Sequence, residues 1–200
     1  MGAIESTESE AESRWFQAAA AGDAAELCRC AEAHAIGRDL ADSRGLTALM
    51  IAAAAGHVDC VRLLLARGAS PAASDVRGWT AVMHAAYHGR CQCVDLLADR
   101  GADLNVRDFL GTTPVMRAAL GGHGTCVRTL AAHGADFRLR DNLGISAAVH
   151  AHRKGQEECA RLLEQLECEA GVAARSRGVR AHGASWKLGS RRYSRRGTTA

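Results

Sequence analysis

Several features that mark particular classes of protein are scarce or missing in this chain of 200 residues. Aromatic residues make up 4% of it, although 48% of its residues are hydrophobic. That balance suits small side chains between closely packed helices. The longest apolar stretch, around 49–55, is too short and too rich in alanine to span a bilayer. The acidic start lacks the basic region and apolar core of a signal peptide. One elongated domain with tails is the natural interpretation.

No catalytic constellation is recognisable either. Nucleophilic catalysis needs a Ser or Cys beside a base in a pocket, and the cysteines here have a simpler explanation in packing. The Gly-rich loop, HRD and DFG motifs of protein kinases are also absent. We therefore expect no enzymatic activity and no cofactor.

The chain has eight cysteines, and four of them recur at a fixed step on predicted second helices: Cys60, Cys93, Cys126 and Cys159. Neighbouring helices pack about 8–10 Å apart, whereas the Cα atoms of a disulfide need roughly 4.4–6.8 Å. Such cysteines cannot bridge to one another. We interpret them as small, reduced core residues of a protein in an intracellular, cytoplasmic compartment, with the cytoskeleton as an associated location.

The net charge of +3 is unevenly distributed. Residues 171–200 hold eight Arg and Lys and no acid, so the rest of the chain sums to −5, which is +3 less +8. The body is mildly acidic, and the C-terminal segment is basic.

A period of 33 residues organises the middle of the chain. The positions that keep it include Asp42, Asp75, Asp108 and Asp141; Gly45, Gly78, Gly111 and Gly144; and Thr47, Thr80, Thr113 and Ser146. A step of this length is typical of stacked repeats. The pattern D-x-x-G-x-T-A/P-L/V-M-x-A-A resembles the ankyrin repeat over residues 13–168. The motifs T-A-L-M-x-A-A and C-V-x-L-L are similar to those in the ankyrin arrays of some flagellate protists, which occur alone or beside NEK-type kinase domains.

The resemblance implies an all-α ankyrin-repeat solenoid of helix–turn–helix units, about five including divergent caps. We place the repeats at 13–41 (cap), 42–74, 75–107, 108–140 and 141–168 (cap). Residues 1–12 are acidic and lack apolar periodicity, which predicts disorder. Residues 169–200 are predicted to be a flexible basic tail.

Local chemistry explains the fixed positions. Asp and Gly three residues apart favour a tight turn in which Asp accepts backbone N–H groups and Gly takes a positive φ. The Thr residues are placed to cap the first helix, and Pro114 suits its first position. One departure stands out, because Met50, Met83, Met116 and Val149 occupy the place of the family's hydrogen-bonding His. We expect part of a polar ladder to be lost.

Ankyrin arrays bind partners through the turn tips and the exposed side of the first helix. Transferring those positions to this chain gives Arg44, Leu46, Arg77, Trp79, Tyr87, His88, Arg107, Phe109, Leu110, Arg140 and Ile145. Trp79, Tyr87, Phe109 and Leu110 would cluster on one concave surface. Exposed aromatic and aliphatic residues rimmed by arginine are typical of interface hot spots; the alternative is that they pack only against adjacent tips.

Three further signals are weaker. His84, His88, Cys91 and Cys93 lie close together, but Gly89 interrupts the helix and Cys93 belongs to the buried set, so we predict no metal site. Gly2 fits the N-myristoylation pattern. Ser194 follows Arg191-Arg192-Tyr193 as in a target of basophilic kinases.

These observations predict a non-catalytic scaffold or adaptor, monomeric, that binds a protein partner through the concave ankyrin groove. An alternative is a peripheral module held at an anionic membrane or nucleic acid by its basic tail, with or without an acylated Gly2. A third is a regulatory array separated from a kinase lineage. Of these partners we expect a protein rather than a membrane or nucleic acid.

Overall fold

A computed structural model describes the backbone of residues 2–33 and 38–176, and the side chains of residues 10–32 and 38–170. Over these residues the secondary structure is helical, with isolated β-bridges and no strand. The helices are α1 Gly2–Ala21, α2 Ala24–Ala33, α3 Ala48–Ala55, α4 Val58–Ala66, α5 Ala81–Tyr87, α6 Cys91–Asp99, α7 Pro114–Gly121, α8 Gly124–Ala132, α9 Ala147–Arg153 and α10 Glu157–Ser176. The predicted all-α fold of paired helices is confirmed.

The helices form two layers. In the first layer α1, α3, α5, α7 and α9 pack side by side in that order, and in the second layer α2, α4, α6 and α8 do the same. The two members of each pair also contact one another from α1–α2 to α7–α8. Paired alanines such as Ala85 and Ala86, both fully buried, allow the first helices to approach closely. Leu64, Leu97 and Leu130 fill the space between the layers.

Helix ends follow the chemistry predicted from the repeat, with exceptions. Gly56 ends α3 in the left-handed conformation, with φ of +91°, and Pro114 is the first residue of α7. The Thr47 hydroxyl accepts the N–H of Met50, and that of Thr113 accepts the N–H of Met116. Thr80 and Ser146 make no such bond, and the Thr80 Oγ1 is buried without a partner. Capping by the hydroxyl thus holds in two repeats of four.

The four recurring cysteines lie in the core, as predicted. Cys60, Cys93, Cys126 and Cys159 are at most 3% exposed and carry free thiols. Burial raises the pKa of each, that of Cys93 to about 11. These thiols therefore stay protonated and behave as small apolar groups.

Residues 2–12, which the sequence predicts to be disordered, form the first turns of α1 in this structure. Ala and Glu in this segment favour a helix. The buried stripe of α1 also starts before residue 13, because Ala11 is 4% exposed and Trp15 and Ala18 continue it at helical spacing. Local propensity and this stripe outweigh the lack of apolar periodicity at the very start.

Contacts divide the chain into two units, residues 1–167 and 168–200. The layered helices belong to the first. Helix α10 extends to Ser176, so residues 169–176 are helical where the sequence predicts a flexible tail. The remainder of the predicted tail, 177–200, lies outside the described residues, as does the proposed phosphorylation site Ser194.

Candidate partner-binding surface

Each repeat opens with a tight loop, which we call a tip: residues 42–46, 75–79, 108–112 and 141–145. In all four tips one oxygen of the leading Asp accepts the backbone N–H groups two and four residues ahead, at 2.8 or 2.9 Å. The same Asp donates its own N–H to the carbonyl four residues ahead. The predicted role of Asp in shaping the turn is confirmed. The donors are main-chain N–H groups and the acceptors are the Asp carboxylate and a main-chain carbonyl, so these bonds leave the intervening side chains free to point outward.

Successive tips are joined by main-chain hydrogen bonds. The N–H of Val76 donates to the Arg44 carbonyl at 3.1 Å, that of Phe109 to Arg77 at 3.4 Å, and that of Asn142 to Leu110 at 3.0 Å. Each bond joins a residue to one in the next repeat. The tips therefore form one continuous edge, and side chains from neighbouring tips lie side by side.

The polar position of the family is replaced by apolar residues, and in three of the four repeats a polar pair is found one residue further along the helix. Met50, Met83 and Met116 are indeed buried and apolar. In the last three repeats, the residue directly after Met83, Met116 or Val149 is His or Arg: His84, Arg117 and His150 respectively. Each pairs with the Asp of its own tip, and His150 Nε2 lies 2.8 Å from the Asp141 carboxylate. Only the first complete repeat, with Ile51, lacks this pair.

Burial and hydrogen bonding compete at these pairs. Burial acts to raise the pKa of the Asp75 carboxyl, but the N–H groups of Trp79 and Arg77, together with His84, outweigh it and lower that pKa. Burial lowers the pKa of His84, despite the attraction of Asp75. His84 is thus favoured as a neutral donor to a charged carboxylate.

Trp79 is not the exposed hot spot that the sequence predicts, because it is 7% exposed. The guanidinium carbons of Arg77 and Arg117 lie 4.2 and 3.9 Å from the centroid of its ring. The Tyr87 ring meets it edge-on at 5.5 Å. Trp79 therefore organises the surrounding side chains, and its neighbours present the accessible surface.

One cleft, which we call the central cleft, has a volume of about 690 Å³. Its polar and aromatic walls are Arg44, Arg77, Arg90, Trp79, Tyr87 and His88. Leu46, Met50 and Ile51 contribute apolar surface, and no Asp or Glu is among the described residues that line it. Burial lowers the pKa of His88, with a contribution from Arg90 and His123. The cleft is therefore amphipathic and cationic.

The second cleft, the tip cleft, has a volume of about 340 Å³ and lies between the second and third tips. Val76, Phe109 and Leu110 form its apolar wall, and they are 63%, 73% and 67% exposed. Arg77 and Trp79 line both clefts. The two clefts are therefore adjacent to each other. The predicted clustering of Phe109 and Leu110 with Trp79 holds, with Tyr87 on the central-cleft side.

The other predicted residues lie beside or beyond the clefts. The Arg107 guanidinium donates to the Arg140 carbonyl at 2.8 Å, and the Arg140 guanidinium donates to the Gly144 carbonyl at 2.8 Å. Both bonds brace the edge of the tips. Ile145 is half-buried in the last tip. Leu143, at 82% exposure, continues the apolar edge there.

Sequence reasoning missed Arg90 and Arg117. Arg90 directly precedes α6, where its Nε donates to the Ala54 carbonyl at 3.2 Å and its head lines the central cleft. Arg117 had a usable signal, since it follows its tip Asp by nine residues, as His84 and His150 do. Arg90 had none, because the equivalent residues His57 and His123 differ in chemistry.

The remaining candidate sites separate in space. His84 binds Asp75 in the interior, whereas His88 faces Tyr87 at a ring distance of 5.2 Å. Across the part of the chain with described side chains, no group of three His, Cys, Asp or Glu is arranged to hold a metal ion. Gly2 begins α1, and its acylation stays a prediction. Of the described helices, none has the length and hydropathy to cross a membrane.

A comparison with protein families matches residues 15–108 and 107–173 to a model described as ankyrin repeats (three copies). Together the matches cover well over half of the chain. A comparison with curated proteins found no significant match. Repeats of the matched family generally mediate protein–protein interactions and are typically non-enzymatic.

Proposed function

Because this chain belongs to the ankyrin-repeat family, we propose that it is a non-catalytic scaffold or adaptor that holds a protein partner against its tips and first helices. The supporting observation is the tip cleft lined by Phe109 and Leu110, next to the central cleft. Two large apolar side chains at about 70% exposure on a braced edge are costly to leave in water and are typical of partner sites. The family supports the class of function, and the exposed clefts support the proposed location.

The braced tips favour this function over passive packing. Phe109 and Leu110 stand on a main chain that is fixed to both neighbouring repeats, through the Arg77 and Asn142 bonds. A surface held in this way loses little conformational freedom when a partner binds, which improves affinity. The groove is therefore organised before a partner arrives.

Affinity purification with quantitative mass spectrometry tests the proposal. The variant Phe109→Ser with Leu110→Ser removes two of the three large apolar side chains of the tip cleft without touching the buried core. The control, Ala66→Ser with Ala132→Ser, alters exposed positions on second helices. We expect partners of the natural chain to be retained by the control and lost by the tip variant, with circular dichroism confirming that both fold. Partners that are retained equally by both variants would contradict the proposal.

A further inference from the structure

Arginine side chains line the central cleft, and the carboxylates that pair with Arg44 and Arg77 are not part of its lining. Arg44 and Arg77 have side chains 72% and 58% exposed. Each pairs with the Asp that opens its tip, at 3.2 Å. Each pair uses Nε and one terminal nitrogen, so the guanidinium retains further N–H donors for a ligand.

The carboxylates in these pairs face inward. The Asp75 side chain is 2% exposed, and its oxygens are occupied by two backbone N–H groups, Arg77 and His84. Asp42 accepts two backbone N–H groups as well and is 22% exposed. A molecule in the cleft therefore meets arginine, and the acids lie behind it. Arg90 adds a third exposed cation to the lining of the cleft.

The tip cleft adds apolar surface directly beside this charge. Arg77 and Trp79 form the boundary between the two clefts because they line both. The one acid that lines the tip cleft, Asp108, is buried and paired with Arg117. A ligand that spans the boundary would place negative charge on one side and an apolar group on the other.

The geometry disfavours a single-stranded nucleic acid on this face. Successive bases need a run of accessible aromatic rings on which to stack, but Trp79 is 7% exposed with two guanidinium groups over it, and the accessible rings are one in each cleft, Tyr87 and Phe109. Three arginines are also a short positive patch on a body whose net charge outside 171–200 is −5 (+3 less +8). A short acidic segment matches such a patch better than a continuous polyanion does.

We propose that the central and tip clefts together bind an extended segment of a partner protein that has two or more closely spaced Asp or Glu residues next to one large apolar side chain. The carboxylates bind Arg44, Arg77 and Arg90, and the apolar side chain packs against Phe109 and Leu110. This inference rests on the function proposed above and names the chemistry of the partner. Charge complementarity in one cleft and exposed apolar surface in the other support it.

Selection from a displayed library of random dodecapeptides against the full-length chain tests this specificity. The test variant is Arg44→Gln with Arg90→Gln, which leaves Arg77 and its contact with Trp79 in place. The matched control is Arg62→Gln with Arg128→Gln, which removes equal charge from exposed positions on α4 and α8. All three chains share the same basic C-terminal segment, so differences among them report the cleft.

We expect the natural chain and the control to enrich acidic peptides that contain an adjacent large apolar residue. Fluorescence anisotropy of the most enriched peptide should give an affinity about tenfold weaker for the test variant and little changed for the control. Phe109→Ser should weaken the same peptide several-fold, whereas Leu143→Ser on the neighbouring tip should not. Higher salt should weaken binding as well.

Three outcomes would overturn the inference: no enrichment, enrichment of basic or uncharged peptides, or equal binding by the test variant and the control. A single-stranded oligonucleotide that binds as tightly as the peptide and depends on Arg44 and Arg90 would overturn it too. The proposed function has its own test: it is contradicted when the same partners co-purify with the Phe109→Ser, Leu110→Ser variant and with its control. Partners that depend on those residues but touch the chain through a non-acidic segment would remove only the inference.

Discussion

At the scale of single residues, Arg117 has two structural contacts at once. Its guanidinium pairs with Asp108 in its own tip and lies over Trp79 of the preceding repeat. The Arg117 residue is 8% exposed, and its Nε is buried without a hydrogen-bond partner. A buried cation of this kind joins two repeats through charge and through the face of an indole.

Replacing Arg117 by Leu should therefore lower the free energy of unfolding by about 3 kcal/mol, because Asp108 would remain as a buried charge with its side-chain partner removed. Arg44→Leu, at an exposed pair in the equivalent tip, should cost less than about 1 kcal/mol. Urea denaturation monitored by circular dichroism measures both. Adding Asp108→Asn to Arg117→Leu should recover part of the loss. Equal effects of Arg117→Leu and Arg44→Leu would show that burial of the pair is unimportant.

The sequence could predict some of these residue roles and not others. The turn made by Asp75 was predictable, since Asp and Gly at this spacing act through bonds within five residues. The burial of Trp79 was not, because Arg117, which covers it, is 38 residues away in the chain. The sequence shows that Met83 replaces the family His. It does not show that His84 supplies a polar contact instead, because that depends on the side chain of His84 pointing toward Asp75.

At the scale of elements, the tips depend on how closely their backbones stack. Gly78 has φ of +79°, and a Cβ there would lie 3.2 Å from the Phe109 nitrogen and 3.3 Å from the Asp108 Cα. Gly144 has nearly the same φ, +75°, with nothing within 4 Å of the equivalent position. The two glycines separate backbone strain from contact with the next tip.

Gly144→Ala should lower the free energy of unfolding by about 1 kcal/mol, the cost of a left-handed conformation for alanine. Gly78→Ala should cost about 1 kcal/mol more, because the second and third tips must move apart. Equilibrium denaturation of the two variants gives the comparison. If both lose the same stability, close stacking of the tips contributes nothing.

The terminal elements show where sequence patterns mislead. Helix α1 begins at Gly2, although its first turns lack apolar periodicity, and α10 continues to Ser176, beyond the last predicted repeat. Repeat periodicity identifies residues that face a neighbouring repeat. It does not report how far a helix rich in Ala, Glu or Arg continues after that contact ends.

At the scale of the whole molecule, the layered unit 1–167 is a series of interfaces between neighbours. Helix α5 packs on both α3 and α7, whereas α1 packs on α3 within its layer. Opening an inner repeat disrupts two interfaces, and opening an outer one disrupts one. Stability should therefore be uneven along the array.

Amide hydrogen exchange followed by mass spectrometry tests this expectation. Peptides from α5 and α7 should exchange more slowly than peptides from α1 and α2 under native conditions, because their opening requires the loss of packing on both sides. A uniform rate across these helices would instead indicate that the unit opens only as a whole.

The hydrogen bonds of the tips have a consequence for how such a surface can change over generations. Each tip is held by its leading Asp, its Gly and main-chain atoms, with Arg77 and Phe109 taking part in the inter-tip bonds through backbone groups alone. Substitutions at Val76, Phe109, Leu110 or Leu143 can therefore alter what is recognised while the scaffold persists. Different positions of the same short loop determine binding specificity and folding. The positions that determine specificity can therefore change while those required for folding are kept.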